Sequence, residues 1–101
     1  MESGIYLIVQ FNFPTPFFPE VGQKAKRLHA ACQSSDWIEN ILTASGGIGP
    51  GPSSIWIFKL NSYASLDLLF DRENDASKAY IDFFTSVEDV AEIIRDEVVF
   101  T

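Results

Sequence analysis

The chain has little with which to do covalent or metal chemistry. Its 101 residues include one cysteine, Cys32, and one histidine, His29. A lone thiol excludes an internal disulfide framework, and without a Cys or His cluster no metal site is expected. Basic residues are scarce: seven Lys and Arg stand against fourteen Asp and Glu, a net charge of −7. Such a balance repels phosphate backbones, so nucleic acid is not an expected partner. No apolar run approaches the roughly 18 residues of a membrane span, and Met1-Glu2-Ser3-Gly4 carries no basic leader, so a cytoplasmic, non-membrane setting is expected. What the chain does have is apolar mass: 47% hydrophobic residues, with nine Phe, three Tyr and two Trp. That composition describes a folded chain, and the length suits one domain over residues 1–101.

The acidity is local. Residues 1–60 carry four acids and four bases, whereas residues 61–101 carry ten acids against Arg72, Lys78 and Arg95. A solvated acidic face accounts for this without a metal.

Periodicity supplies the elements. Ile5, Leu7, Val9, Phe11 and Phe13 alternate with Tyr6, Ile8, Gln10 and Asn12, a first strand with apolar residues on both faces. Pro14, Pro16 and Pro19 end it, and Pro19 can open a helix. From Glu20 to about Gln33, Val21, Ala25, Leu28 and Cys32 fall on one helical stripe. Trp37 to Ala44 reads as a second strand, with Trp37, Glu39, Ile41 and Thr43 opposing Ile38, Asn40, Leu42 and Ala44. After the breaker-rich Ser45-Gly46-Gly47-Ile48-Gly49-Pro50-Gly51-Pro52, a third strand spans Ile55–Leu60, with Trp56, Phe58 and Leu60 against Ile55, Ile57 and Lys59. Ser62 and Asp75 are expected to cap two helical runs, Leu66, Leu69 and Phe70 facing inward in the first and Ala79, Tyr80, Phe83, Phe84 and Val87 in the second. Ser86-Val87-Glu88-Asp89 has the spacing of a capped turn, and Ile93–Phe100 is expected to form the last strand.

The order is therefore β-α-β-β-α-β, the split βαβ of a ferredoxin-like α+β fold with a four-stranded antiparallel sheet. Its helices cover one face only. A sheet apolar on both sides should not leave the other in water, which predicts a homodimer packed through the open faces.

This order, with the strand Ile5-Tyr6-Leu7-Ile8-Val9-Gln10-Phe11, the segment Asn74–Phe84 and the closing Ile94-Arg95-Asp96-Glu97-Val98-Val99-Phe100, resembles the dimeric α+β barrel superfamily. Its members include NIPSNAP-like, EthD-like, antibiotic-biosynthesis-monooxygenase-like and stress-responsive barrel proteins. The resemblance implies a dimeric barrel, and members that bind small molecules or oxidise them without a cofactor. Where stress-responsive barrels and their cyclase relatives place His, this chain has Asn74 and Ser77, so the acid–base chemistry of those relatives does not carry over.

The remaining motifs sort by chemistry. The glycine loop lacks the GxxxxGK[ST] lysine and lies between strands, so it reads as a hairpin tip or pocket rim, not a phosphate cradle. His29 reads as a helix-shoulder residue, Cys32 as a small buried hydrophobe, and Phe83 and Phe84 as core. Gln10 and Asn12 put amides on an otherwise apolar face, as ligand pockets do. The expected function is a homodimeric barrel binding a small apolar ligand, fatty-acyl or polyketide-like. Tyr6, Ile8, Trp56 and Phe58 would form the wall, Gln10 and Tyr80 polar anchors, and Arg95 a partner for a carboxylate or enolate. No cofactor and no catalytic residue are assigned. Two alternatives stand: a cofactor-independent monooxygenase or cyclase in which Tyr80, Gln10 or Arg95 polarises an enol, and a dimeric assembly module without ligand.

Overall fold

Strict alternation in the first strand sets the layers. The computed structural model describes residues 4–100. β1 (Ile5–Asn12) is followed by α1 (Pro19–Gln33), β2 (Ile38–Ser45), β3 (Ser54–Leu60), α2 (Tyr63–Phe70), α3 (Asp75–Phe84) and β4 (Glu88–Asp96). The strands make one antiparallel sheet in the order β2-β3-β1-β4. Ile5, Leu7, Val9 and Phe11 are buried beneath the helices, whereas Tyr6, Ile8 and Gln10 on the other face are only half-buried. The molecule is 17 Å across its thinnest axis. A helix is about 10–12 Å in diameter, so this leaves room for one helical layer and one sheet. No helix among the described residues is long and apolar enough to cross a membrane.

The core between sheet and helices is aromatic. Phe11 meets the edges of Phe83 and Phe84 at 5.5 and 5.3 Å, Trp56 lies 5.1 Å from Phe83, and Tyr80 lies 4.6 Å from Phe84. Edge-to-face pairs of this kind add about 0.5–1.5 kcal/mol each beyond their buried area. Val21, Leu28 and Cys32 of α1 complete the layer, as their helical spacing predicts.

Several boundaries differ from the sequence expectation, each for a local reason. The register between β2 and β3 shifts between Ile38 and Asn40. The shift breaks simple alternation and turns both Ile38 and Ile41 toward the helices. Ser62 makes no side-chain cap bond, and Asn74 rather than Asp75 caps α3, its Oδ1 accepting from the Ser77 N–H at 2.9 Å. Ser77 Oγ in turn accepts from the Arg72 N–H at 2.8 Å, at a residue with φ 64°. Asn74 thus starts the helix, and the Ser77 hydroxyl ties the preceding turn to it. The last strand lies several residues earlier than expected, Glu88–Asp96 instead of Ile93–Phe100, and takes in part of the turn expected at Ser86–Asp89. Its pairing is fixed by Ile8 opposite Ile93, and its first turns are tied down by Asn12 Nδ2 donating to Asp89 Oδ2 at 3.0 Å. The Glu97 N–H still reaches the Gly4 carbonyl at 3.0 Å, one residue past the end of β4 and one before the start of β1.

Candidate functional site: the open sheet face

Residues opposite each other in an antiparallel pair share a face, so the register arranges the uncovered side in three rows across four strands. The middle row is Leu42, Ile57, Ile8 and Ile93. One step toward the start of β1 lies a polar row, Asn40, Lys59, Tyr6 and Arg95. One step the other way lies a row of smaller residues, Ala44, Ile55, Gln10 and Ala91. The middle row is branched and aliphatic throughout, and Leu42 is 55% exposed.

Charge at the polar end is internally balanced. Lys59 Nζ lies 2.7 Å from Glu97 Oε2 and 3.2 Å from Glu39 Oε2. Glu97 Oε1 also accepts from the Gly4 N–H at 3.0 Å. Hydrogen bonds from Glu97 and then Glu39 hold the Lys59 ammonium well above its ordinary range. The Lys59 ammonium, with the Gly4 N–H behind it, holds the Glu97 carboxyl below its usual value near 4.5. A carboxylate shifted downward stabilises the fold above its unfolded pKa and loses that contribution as pH falls through the folded one. Thermal melts followed by circular dichroism should therefore lose midpoint more steeply in the wild type than in Glu97→Gln between about pH 5 and 3. Parallel curves would mean that the Lys59–Glu97 pair does nothing for folding.

At the opposite end the loop between β2 and β3 lies against Gln10. Asn12 Oδ1 accepts from Ser53 N and Oγ at 3.0 and 3.2 Å, and the Gly46 N–H closes on the Ser53 carbonyl at 2.8 Å. Gly46, Gly47, Gly49 and Gly51 all have positive φ, which glycine adopts without strain. The loop and Gln10, with Ile55 on the floor, line a cleft of about 220 Å³. Ile48 stands fully exposed at the tip. The breakers thus form a pocket rim.

Four of the residues proposed from sequence meet on this face: Tyr6, Ile8, Gln10 and Arg95. Arg95 makes no cross-strand ion pair among the described residues; its Nη1 donates to the Ile94 carbonyl at 2.8 Å. The other three do not join them. Phe58 pairs with Leu7 and Trp56 with Val9, which puts both rings under the helices, 0% and 7% exposed. Tyr80 is buried in the same layer and its hydroxyl donates to Glu92. A single wall of Tyr6, Ile8, Trp56 and Phe58 is therefore corrected to two walls on opposite sides of the sheet. Only Trp56 also borders surface, at a shallow groove of about 260 Å³ with Phe13, Thr43, Ala44 and Ser45. Residues that sequence reading left out of the site are Leu42, Ile55, Ile57 and Ile93, which take the places given to Trp56 and Phe58. Their signal was the second apolar set of β3, Ile55 and Ile57.

Four of the groups with shifted ionisation keep one protonation state near neutrality. Burial pushes the Cys32 thiol up to about 12, so it is not a thiolate near neutrality. Burial, reinforced by Glu92, raises the Tyr80 hydroxyl far above its ordinary value. Lys59 stays an ammonium and Glu97 a carboxylate. Among the described residues no group of three His, Cys, Asp or Glu could hold a metal ion. The face can bury apolar surface and offer hydrogen bonds; it has no poised acid–base pair among these four.

No family model matches this sequence, and no curated protein matches it significantly. Solved structures do. Hydroxynitrile lyase from Passiflora edulis superposes with a TM-score of 0.77 at 12% identity, over 100% of this chain and 99% of the lyase. A dimeric ferredoxin-like protein of unknown function from Thermobifida fusca gives 0.73 at 15% identity, covering 96% and 93%. A hypothetical Arabidopsis thaliana protein solved in solution gives 0.73 at 11%, covering 100% and 96%. Likeness at this identity establishes the fold: the chain is a ferredoxin-like α+β domain.

Proposed function

We propose that the protein is a homodimer that covers its open sheet face with a second copy and takes a small apolar ligand, fatty-acyl or polyketide-like, against that face. The observation that carries this reading is the middle row of Leu42, Ile57, Ile8 and Ile93, which crosses all four strands with no helix over it. Apolar surface left in water costs about 25 cal/mol per Å², and a second sheet is the simplest cover. Lys59 favours self-association because its two carboxylates lie on the same surface, so covering the face strands no unpaired ammonium. One protein of the same fold is dimeric by its own description.

Tyr6, Ile8, Gln10 and Arg95 are the residues proposed to meet the ligand, while Trp56, Phe58 and Tyr80 support the sheet from behind. The lyase shares the fold, yet the fixed ionisation of Cys32, Tyr80, Lys59 and Glu97 favours binding over acid–base catalysis here. A native mass spectrum of freshly purified protein tests both halves. Twice the chain mass of 11.3 kDa with a small organic adduct is expected. A monomer would overturn the dimer, and a dimer of bare chain mass would put the ligand-free assembly module in front.

A further inference from the structure

We infer that the two copies pack with β4 of each lying over β2 of the other, so that Arg95 of one chain pairs with the partner's Glu39. This rests on the proposal that a second copy covers the open face. It adds the orientation of that copy and a residue that each chain lends to the other's ligand face.

Arg95 is the charge that a single chain leaves over. It shares the polar row with Asn40, Lys59 and Tyr6, which a second sheet would take out of water. Lys59 has two carboxylates, Glu97 at 2.7 Å and Glu39 at 3.2 Å. Arg95 has none among the described residues, only the Ile94 carbonyl. Glu97, two residues along, is engaged by both Lys59 and the Gly4 N–H. Glu39 is the carboxylate that Lys59 can share, and its side chain is 47% exposed. Within one chain Arg95 and Glu39 do not meet. Their strands are opposite edges of the sheet, with β3 and β1 between them, about 14 Å apart. A guanidinium covered without a counter-charge would work against the dimer.

Two like faces packed with aligned strands are related by a twofold axis between the sheets, running either across the strands or along them. An axis across the strands lays each strand on its own copy, turned end for end. Centred on the middle row, it would set Lys59 against Ile55 of the other copy, Asn40 against Ala44 and Arg95 against Ala91. Charged and polar groups would then be covered by aliphatic ones. It would also stack two β4 strands, each with Glu88, Asp89, Glu92 and Asp96 against Arg95 alone. An axis along the strands keeps the ends together and exchanges the edges. The polar row then meets the polar row, and Ile8 of the middle row meets Ile57. The acidic β4 lies on β2, whose one charge is Glu39. Arg95 comes opposite the partner's Asn40 and beside its Glu39. Matching of polar to polar and the balance of charge both select this packing. A guanidinium has N–H groups to spare after one carbonyl and a bidentate carboxylate, so Arg95 still faces the ligand, now positioned by the partner's Glu39.

Two charge reversals test the orientation. Arg95→Glu sets a carboxylate against the partner's Glu39, and Glu39→Arg sets a guanidinium against the partner's Arg95. Each variant alone should dimerise at least about tenfold more weakly than the wild type in sedimentation velocity. Both positions are exposed, so circular dichroism spectra should be unchanged. Mixed together, the two variants are complementary at both contacts. Native mass spectrometry of the mixture should show heterodimer well above the fraction of about half that random pairing gives. Random pairing, or a mixture that stays monomeric, would overturn the orientation while wild-type dimers leave the covered face intact. Heterodimer formed instead by Arg95→Glu with Asp89→Arg would also overturn it, placing the axis across the strands. A wild type that is monomeric would overturn both.

Discussion

Replacing Ile8 by Asp is expected to turn a dimer into a folded monomer. Ile8 sits in the middle row between Ile57 and Ile93, one strand from the β4 end of the sheet's apolar stripe and two from the β2 end. In a single chain that position is half-exposed, so a carboxylate there can stay hydrated and the fold should persist. Against a second sheet the same carboxylate loses its water and meets only aliphatic carbon. An uncompensated buried charge costs about 3–5 kcal/mol, which is two to three orders of magnitude or more in dimer affinity, and both copies carry one. Sedimentation velocity at micromolar concentration should show one chain's mass with an unchanged circular dichroism spectrum. Ile57→Asp, its cross-strand neighbour, should do the same. A dimer that survives both changes would place the interface elsewhere, with the exposed edge of β2 the next surface to examine.

Phe83→Ala is expected to have the largest effect on folding. Phe83 is fully buried and its ring contacts Phe11, Phe13, Trp56 and Phe84 at centroid distances of 5.5, 6.1, 5.1 and 4.8 Å. Truncation removes the side chain that joins α3 to β1 and β3 and leaves a cavity whose walls are themselves rigid rings. Such Phe→Ala changes cost about 3–5 kcal/mol. Domains of this size hold about 5–15 kcal/mol in all, so urea denaturation should show the midpoint collapsing or the variant unfolding without denaturant. Phe70→Ala is the matching control, since that ring is 40% exposed and among the described residues its one aromatic neighbour is Tyr80. Similar losses at the two sites would mean that the aromatic layer does not hold the sheet and helices together.

The elements themselves were legible because alternation and helical stripes are local signals. Ile5–Phe13 reads as a two-faced strand, and the fold makes it one as far as Asn12; Val21, Leu28 and Cys32 read as one helical stripe and are buried together on α1. The end of the chain was harder. Val98, Val99 and Phe100 have the residue types of a strand, yet the strand runs Glu88–Asp96. Strand formation there depends on where β1 offers partners, and neither Ile8 opposite Ile93 nor the Asn12–Asp89 bond is written in the local pattern. Asn74 and Ser77 were visible as departures from a His-bearing pattern. Their actual work, one capping α3 and the other holding the backbone at Arg72, depended on the extended backbone at Asn74.

Sequence alone determined that β1 and β3 each carry two apolar sets, Ile5, Leu7, Val9 and Phe11 against Tyr6 and Ile8, and Trp56, Phe58 and Leu60 against Ile55 and Ile57. Tertiary structure alone decided which set of β3 lies beside which set of β1. No hairpin joins those strands; α1 and β2 lie between them, so no turn fixes their register. Side chains alternate with a period of two, and a shift of one residue exchanges the faces completely. Pairing Leu7 with Phe58 sent the aromatic set, Trp56 and Phe58, into the core and left Ile55 and Ile57 beside Ile8 and Gln10 on the open face.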